Sequence, residues 1–123
     1  MLNILSVGVG GFIGAVCRYL IGLIPINETI NFPIKTFAIN VIGCVVIGIV
    51  TVIAAKNTSL NSHMLLFLKV GLCGGFTTFS TFALESANLM KNGNVMISLI
   101  YVLGSVLVGV GVIFAIEYFT MKY

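Results

Sequence analysis

The chain has 123 residues, 59% hydrophobic and 7% charged, with mean hydropathy +1.21 and net charge +3. Soluble domains are roughly a quarter charged, so six basic and three acidic side chains exclude a water-facing surface for a fold of this size. The basic residues form no cluster, which excludes nucleic acid as a partner.

Composition therefore points to an all-α integral membrane protein, with the lipid bilayer as its solvent. One cleaved signal segment does not account for apolar runs that recur through the whole sequence. Cys17, Cys44 and Cys73 lie in three separate runs without CxxC or Cys/His spacing. They read as small apolar packing residues rather than as a disulfide framework or a zinc site.

A spanning helix needs about 20 apolar residues, and four segments reach that length. The first covers residues 3–24 and stops before Pro25. A polar connection follows to Pro33, carrying Asn27, Glu28, Thr29 and Asn31. The second covers 34–55, between Lys35 and Lys56. After the turn 57–62, Ser62 is the expected N-cap of the third, which covers 63–90, with His63 at the interface. Lys91-Asn92-Gly93-Asn94 forms a tight turn, and the fourth covers 95–119. The chain reads as a single domain of four transmembrane helices, residues 1–123.

Charge placement bears on orientation. With four spans, Lys56, Lys69 and Lys122 fall toward one face of the membrane, and Arg18, Lys35 and Lys91 toward the other. Three against three leaves the positive-inside rule without a bias. Such a chain is expected to insert both ways and to form an antiparallel, dual-topology homodimer. Gly10-x-x-x-Gly14, Gly71-x-x-x-Gly75 and Ser105-x-x-x-Gly109 place small residues on one helix face and allow close helix contact.

The third span is anomalous. Gly71 to Phe82 holds three glycines, four hydroxyl residues and three phenylalanines, poor material for a continuous lipid-facing helix. A break at Gly74-Gly75 with Thr77-Thr78 frees carbonyls, and irregular backbone at this depth persists only inside protein or along a cavity. Freed carbonyls suit a hard cation such as sodium. Phe79 and Phe82, three apart, share a helix face; they form either a packing stripe or a pair of positive ring edges flanking a small anion. Ser80 and Thr81 add hydroxyl donors.

Other polar groups in the spans are functional candidates because they are costly there. Asn40, in the second span, only bridges helices, donates to an anion, or holds the broken segment. Arg18 is either a headgroup anchor or part of an electropositive vestibule. Glu85 lies deep in the third span, where it either pairs with a lysine or hydrogen-bonds a helix terminus. Glu117 reads as interfacial. Neither glutamate has a partner carboxylate or histidine at helical spacing, so a proton relay is poorly supported. Tyr101, Ser105 and Gly109 form a narrow stripe on the fourth span that either lines a pore or packs on a neighbour.

Taken together, the early Gly10-Gly11-Phe12-Ile13-Gly14-Ala15-Val16-Cys17-Arg18 segment, Asn40 with Gly43, and Gly-Gly-Phe-Thr-Thr-Phe-Ser-Thr-Phe at 74–82 resemble the Fluc (CrcB) family of fluoride channels. The likeness covers essentially the whole chain, and the 74–82 string is its specific part. The resemblance implies no enzymatic activity but passive fluoride flow across a bacterial plasma membrane, lowering the cytoplasmic level of an ion that enters as neutral hydrogen fluoride. It implies an antiparallel homodimer with two pores and a central structural sodium ion held by the carbonyls of Gly74 and Thr77.

By the same resemblance Phe79 and Phe82 meet fluoride with their ring edges. Asn40 is similar to the pore asparagine and Arg18 to the vestibule arginine. Ser80 and Thr81 resemble hydroxyls near the path, and Tyr101 and Ser105 a polar track that Gly109 cannot extend. Two other classes share some of these features. A small multidrug transporter has this size, but relies on a carboxylate deep in its first span, and this first span has none. A non-transporting assembly subunit explains the glycines and leaves the helix break without a purpose.

Overall fold

The structure, a computed structural model, describes residues 1–27 and 29–122. Glu28 of the polar connection, like Tyr123, lies outside the described residues. Among the described residues, four helical segments are long and apolar enough to cross a membrane: Leu2–Gly22, Ile34–Lys56, Ser62–Lys91 and Val95–Met121. We name α1 (Leu2–Gly22), α2 (Ile34–Lys56), α3 (residues 62–76), α4 (Phe79–Lys91) and α5 (Val95–Met121). The third span is thus two helices, α3 and α4, joined by Thr77 and Thr78 in extended conformation, with φ/ψ of −76°/159° and −146°/118°.

Each helix end has a local cause. Lys35 Nζ donates to the Gly22 carbonyl at 3.0 Å, placing a cation on the C-terminal end of α1, where carbonyls lack helical partners. The start of α3 corrects an expectation: the cap is Asn61, not Ser62. The Asn61 side chain accepts from the His63 N–H at 3.0 Å, and Ser62 is already helical. Asparagine ranks beside serine as a cap, so residue type alone did not separate them. Gly93, at φ +82°, makes the turn between α4 and α5, a left-handed conformation that glycine adopts without penalty.

Packing follows the small residues. The Gly10/Gly14 face of α1 lies backbone-to-backbone on the Gly71/Gly75 face of α3. A Cβ on Gly71 would stand 2.8 Å from the Val7 carbonyl and 2.9 Å from the Gly10 Cα, and one on Gly75 would strike the Gly11 backbone. Two small-xxx-small motifs from different helices therefore form one seam, which brings the backbones as close as side-chain-free surfaces permit. The Ser105-x-x-x-Gly109 face of α5 instead meets α2, with Gly109 against Cys44 Sγ. Within α3, Leu66–Cys73 takes the wider π-helical pattern, a local loosening common beside functional irregularities.

The interior is small and mixes apolar with polar groups. Among the described residues Tyr101 and Ser98 are the fully buried side chains, and Ile39, Val52, Cys73, Thr36, Thr78 and Ser86 are nearly so. Ser98 Oγ donates to the Ser86 carbonyl at 2.9 Å and Ser86 Oγ to the Phe82 carbonyl at 2.8 Å, tying α5 to α4. The outer surface is covered by exposed Leu, Ile, Val and Phe, as a lipid solvent demands.

Candidate functional site

The site is built around the helix break. Thr78 would continue a helix by donating its N–H to the Gly74 carbonyl. It donates instead to Asn40 Oδ1 at 2.8 Å, and Asn40 Nδ2 donates back to the Thr78 carbonyl at 3.1 Å. One side chain of α2 thus satisfies both backbone groups of the residue where the helix stops. Of the sequence readings of Asn40, these bonds fit its holding the broken segment. One of its two amide hydrogens remains beyond that pair.

Both threonines have local roles. Thr77 Oγ1 donates to the Cys73 carbonyl at 2.8 Å. Thr78 Oγ1 accepts from the Thr81 N–H at 3.2 Å and donates to Thr81 Oγ1 at 3.1 Å, so Thr78 N-caps α4. Among the described residues, no N–H or hydroxyl donates to the carbonyls of Gly74 or Thr77. The partially negative C-terminal end of α3 and the partially positive N-terminal end of α4 thus face each other across two extended residues.

Two cavities meet at this point and share Thr78. The first, about 680 Å³, is lined by Arg18, Lys35, Thr36, Thr78, Thr81, Glu85 and the polar residues of the adjoining turns, including Asn31, Asn92 and Asn94. It opens at the end of the bundle where α1 finishes and α2 begins. The second, about 450 Å³, runs from Asn40, Thr77, Thr78, Phe79 and Phe82 past Gly74 and Ser105 to Lys69, toward the opposite end. On α4 the division follows helical spacing: Thr81 and Glu85 face the first cavity, and Phe79 and Phe82 the second.

The candidate residues fall into place unevenly. Phe79 and Phe82 are neighbours, ring centroids 5.8 Å apart and tilted 50°. Phe82 packs edge-on to Tyr101 at 5.1 Å, whereas Phe79 is 80% exposed on the outside of the bundle. Among the described residues Ser105 Oγ, buried in the second cavity, has no partner. Arg18 lines the first cavity, with its Nε buried and without a partner among the described residues. Ser80, one residue beyond Phe79, is exposed and lines neither cavity. Gly109 is closed against Cys44, so the stripe from Tyr101 and Ser105 ends there.

Glu85 corrects another expectation. Its carboxylate pairs with neither a lysine nor a helix end; it accepts from Thr36 Oγ1 and from Tyr101 Oη, each at 2.8 Å. The sequence left Thr36 unnoticed and gave Tyr101 no partner. Thr36 lies four residues before Asn40, on the same face of α2, and that spacing was the available signal. Three helices thus converge on one carboxylate beside Thr78.

The family described as "CrcB-like protein, Camphor Resistance (CrcB)" matches residues 5–116. The fluoride-specific ion channel FluC of Chlorobaculum tepidum is 43% identical over 116 residues, covering 94% of this chain and 91% of that protein. That of Phocaeicola vulgatus is 42% identical, covering 89% and 91%. That of Agrobacterium fabrum is 40% identical, covering 94% and 93%.

Proposed function

This chain belongs to the CrcB-like family, and from that premise we propose that it is a fluoride-selective channel carrying the ion passively out of the cytoplasm of a bacterium. The observation that carries the reading is the mid-span break pinned by Asn40, with a polar cavity on one side and a phenylalanine-lined cavity on the other. A helix interrupted at this depth, with its breaking residues lining cavities, is the membrane form of an ion path.

Fluoride is small and strongly hydrated, and a charge moved into an apolar region without compensation is prohibitive. The path must replace water with donors. Arg18 draws the anion into the first cavity, where Thr81 offers a hydroxyl. Past Thr78, the free amide hydrogen of Asn40 and the unpartnered Ser105 hydroxyl offer donors again. Phe82 and Phe79 present positive ring edges, and the N-terminal end of α4 favours negative charge. None of the groups at the break is a fixed cation, so binding stays weak enough for release. Ser80, outside both cavities, reaches the path only where a second copy closes over α4.

Two observations support an antiparallel homodimer with a sodium ion at its centre. Phe79 and Gly74 lie exposed at mid-span, and a Cβ on Gly74 meets nothing within 4 Å; a second copy would cover both. The carbonyls of Gly74 and Thr77 have no donor among the described residues, which fits oxygen ligation of a hard cation at the negative end of α3. When bound, sodium would act structurally, neutralising carbonyls from both copies.

Fluoride efflux from liposomes containing the purified protein, read by an ion-selective electrode with chloride in parallel, tests the reading. Fluoride release with chloride retained is expected. Well-folded protein that releases neither ion contradicts it, and proton-coupled flux of a cationic dye would indicate a small multidrug-type transporter.

A further inference from the structure

Lys69 has no part in the fold or in the path described so far. It sits half-buried in α3, eight residues before Thr77 and so more than one helical turn from the break. It lines the far part of the second cavity, whose other lining residues include no aspartate or glutamate. Among the described residues its ammonium has no carboxylate partner and donates no hydrogen bond, whereas Lys35 is committed to the Gly22 carbonyl. Glu85 lines the other cavity, beyond the Asn40–Thr78 pair, and Glu117, four residues past the cavity-lining Ile113, lines neither cavity.

An uncompensated ammonium inside a span is costly unless water or an anion reaches it, and a low-dielectric, single-sign cleft concentrates counter-ions. We propose that Lys69 makes the second cavity an anion-binding vestibule, so that fluoride meets a cation at each end of the path: Arg18 on one side of the break and Lys69 on the other. The proposal rests on the channel reading and adds a rate-determining residue to it. Lys69 does not touch the ion at the break. It raises the local anion concentration at the mouth, and a lysine stem is long enough to hold its charge at the water-facing end.

The test uses the full-length protein in liposomes, with fluoride efflux measured for wild type, K69R, K69Q and K69E at low and high concentrations of an inert salt. At low salt, K69Q is expected to slow efflux about tenfold and K69E further, while K69R keeps most of the rate. Raising the salt should shrink these differences, because screening acts over about 8 Å at physiological ionic strength. Equal efflux in wild type and K69Q at both salts would overturn the proposal and reduce Lys69 to a headgroup anchor. So would a loss in K69Q that salt does not alter and K69R does not rescue, which marks a packing role. Absence of flux in wild type itself would instead overturn the channel reading, so the two failures are told apart.

Discussion

At Asn40, one amide satisfies both backbone groups of Thr78, and its removal leaves an N–H and a carbonyl without partners in mid-membrane. Asn40→Ala should lower stability by about 1–3 kcal/mol, read as a fall in thermal unfolding temperature in detergent, and should abolish fluoride efflux. Asn40→Asp separates the two roles. It keeps the acceptor for the Thr78 N–H but places a carboxylate where the anion must pass, so efflux should fall more than stability does. Tyr101→Phe keeps the ring packed between Phe32 and Phe82 and removes one of the two donors to Glu85; a cost of about 0.5–1.5 kcal/mol is expected in the same unfolding assay. The existence of a polar site was legible from Asn40, Thr77 and Thr78. Its wiring was not, because Glu85, Thr36 and Tyr101 stand far apart in the chain and only the folded bundle brings them together.

At the scale of elements, two glycines side by side in sequence have opposite situations. Gly75 faces the α1 backbone at Gly11, whereas Gly74 faces open space in the protomer. Gly75→Ala forces α1 and α3 apart and should cost about 1–3 kcal/mol, the range for overpacking, with lower yield of monodisperse protein. Gly74→Ala should leave the protomer folded and act only on what covers that face. If two copies meet there, cross-linking of the dimer and fluoride efflux fall together while helical content by circular dichroism stays constant; unchanged cross-linking and efflux would count against a contact at Gly74. The hydropathy of the sequence made the helices plain, and glycine and threonine in mid-span made the break plain. The small-residue motifs announced close packing without naming partners, since Gly10/Gly14 could meet any helix with a matching groove. The Asn61 cap was missed for a related reason, two adjacent residues of equal capping ability.

For the whole molecule, six basic residues divide evenly between the two ends, and no charge bias sets one orientation. Reporter tags at one terminus should therefore be accessible from both sides of the membrane, and shifting the balance with added lysines on one side should fix the orientation and reduce efflux. The likeness to fluoride-specific channels extends over nearly the full length of this chain, and the proposed ion path runs through the cavities on either side of Thr78. The central claim is passive, fluoride-selective conduction, and the reversal potential of the purified protein in a planar bilayer tests it most directly. Under a tenfold fluoride gradient with chloride equal on both sides, the account predicts a reversal potential of about 59 mV in magnitude, unchanged when a pH gradient is imposed. A reversal potential near zero, or one that follows the proton gradient, would contradict it.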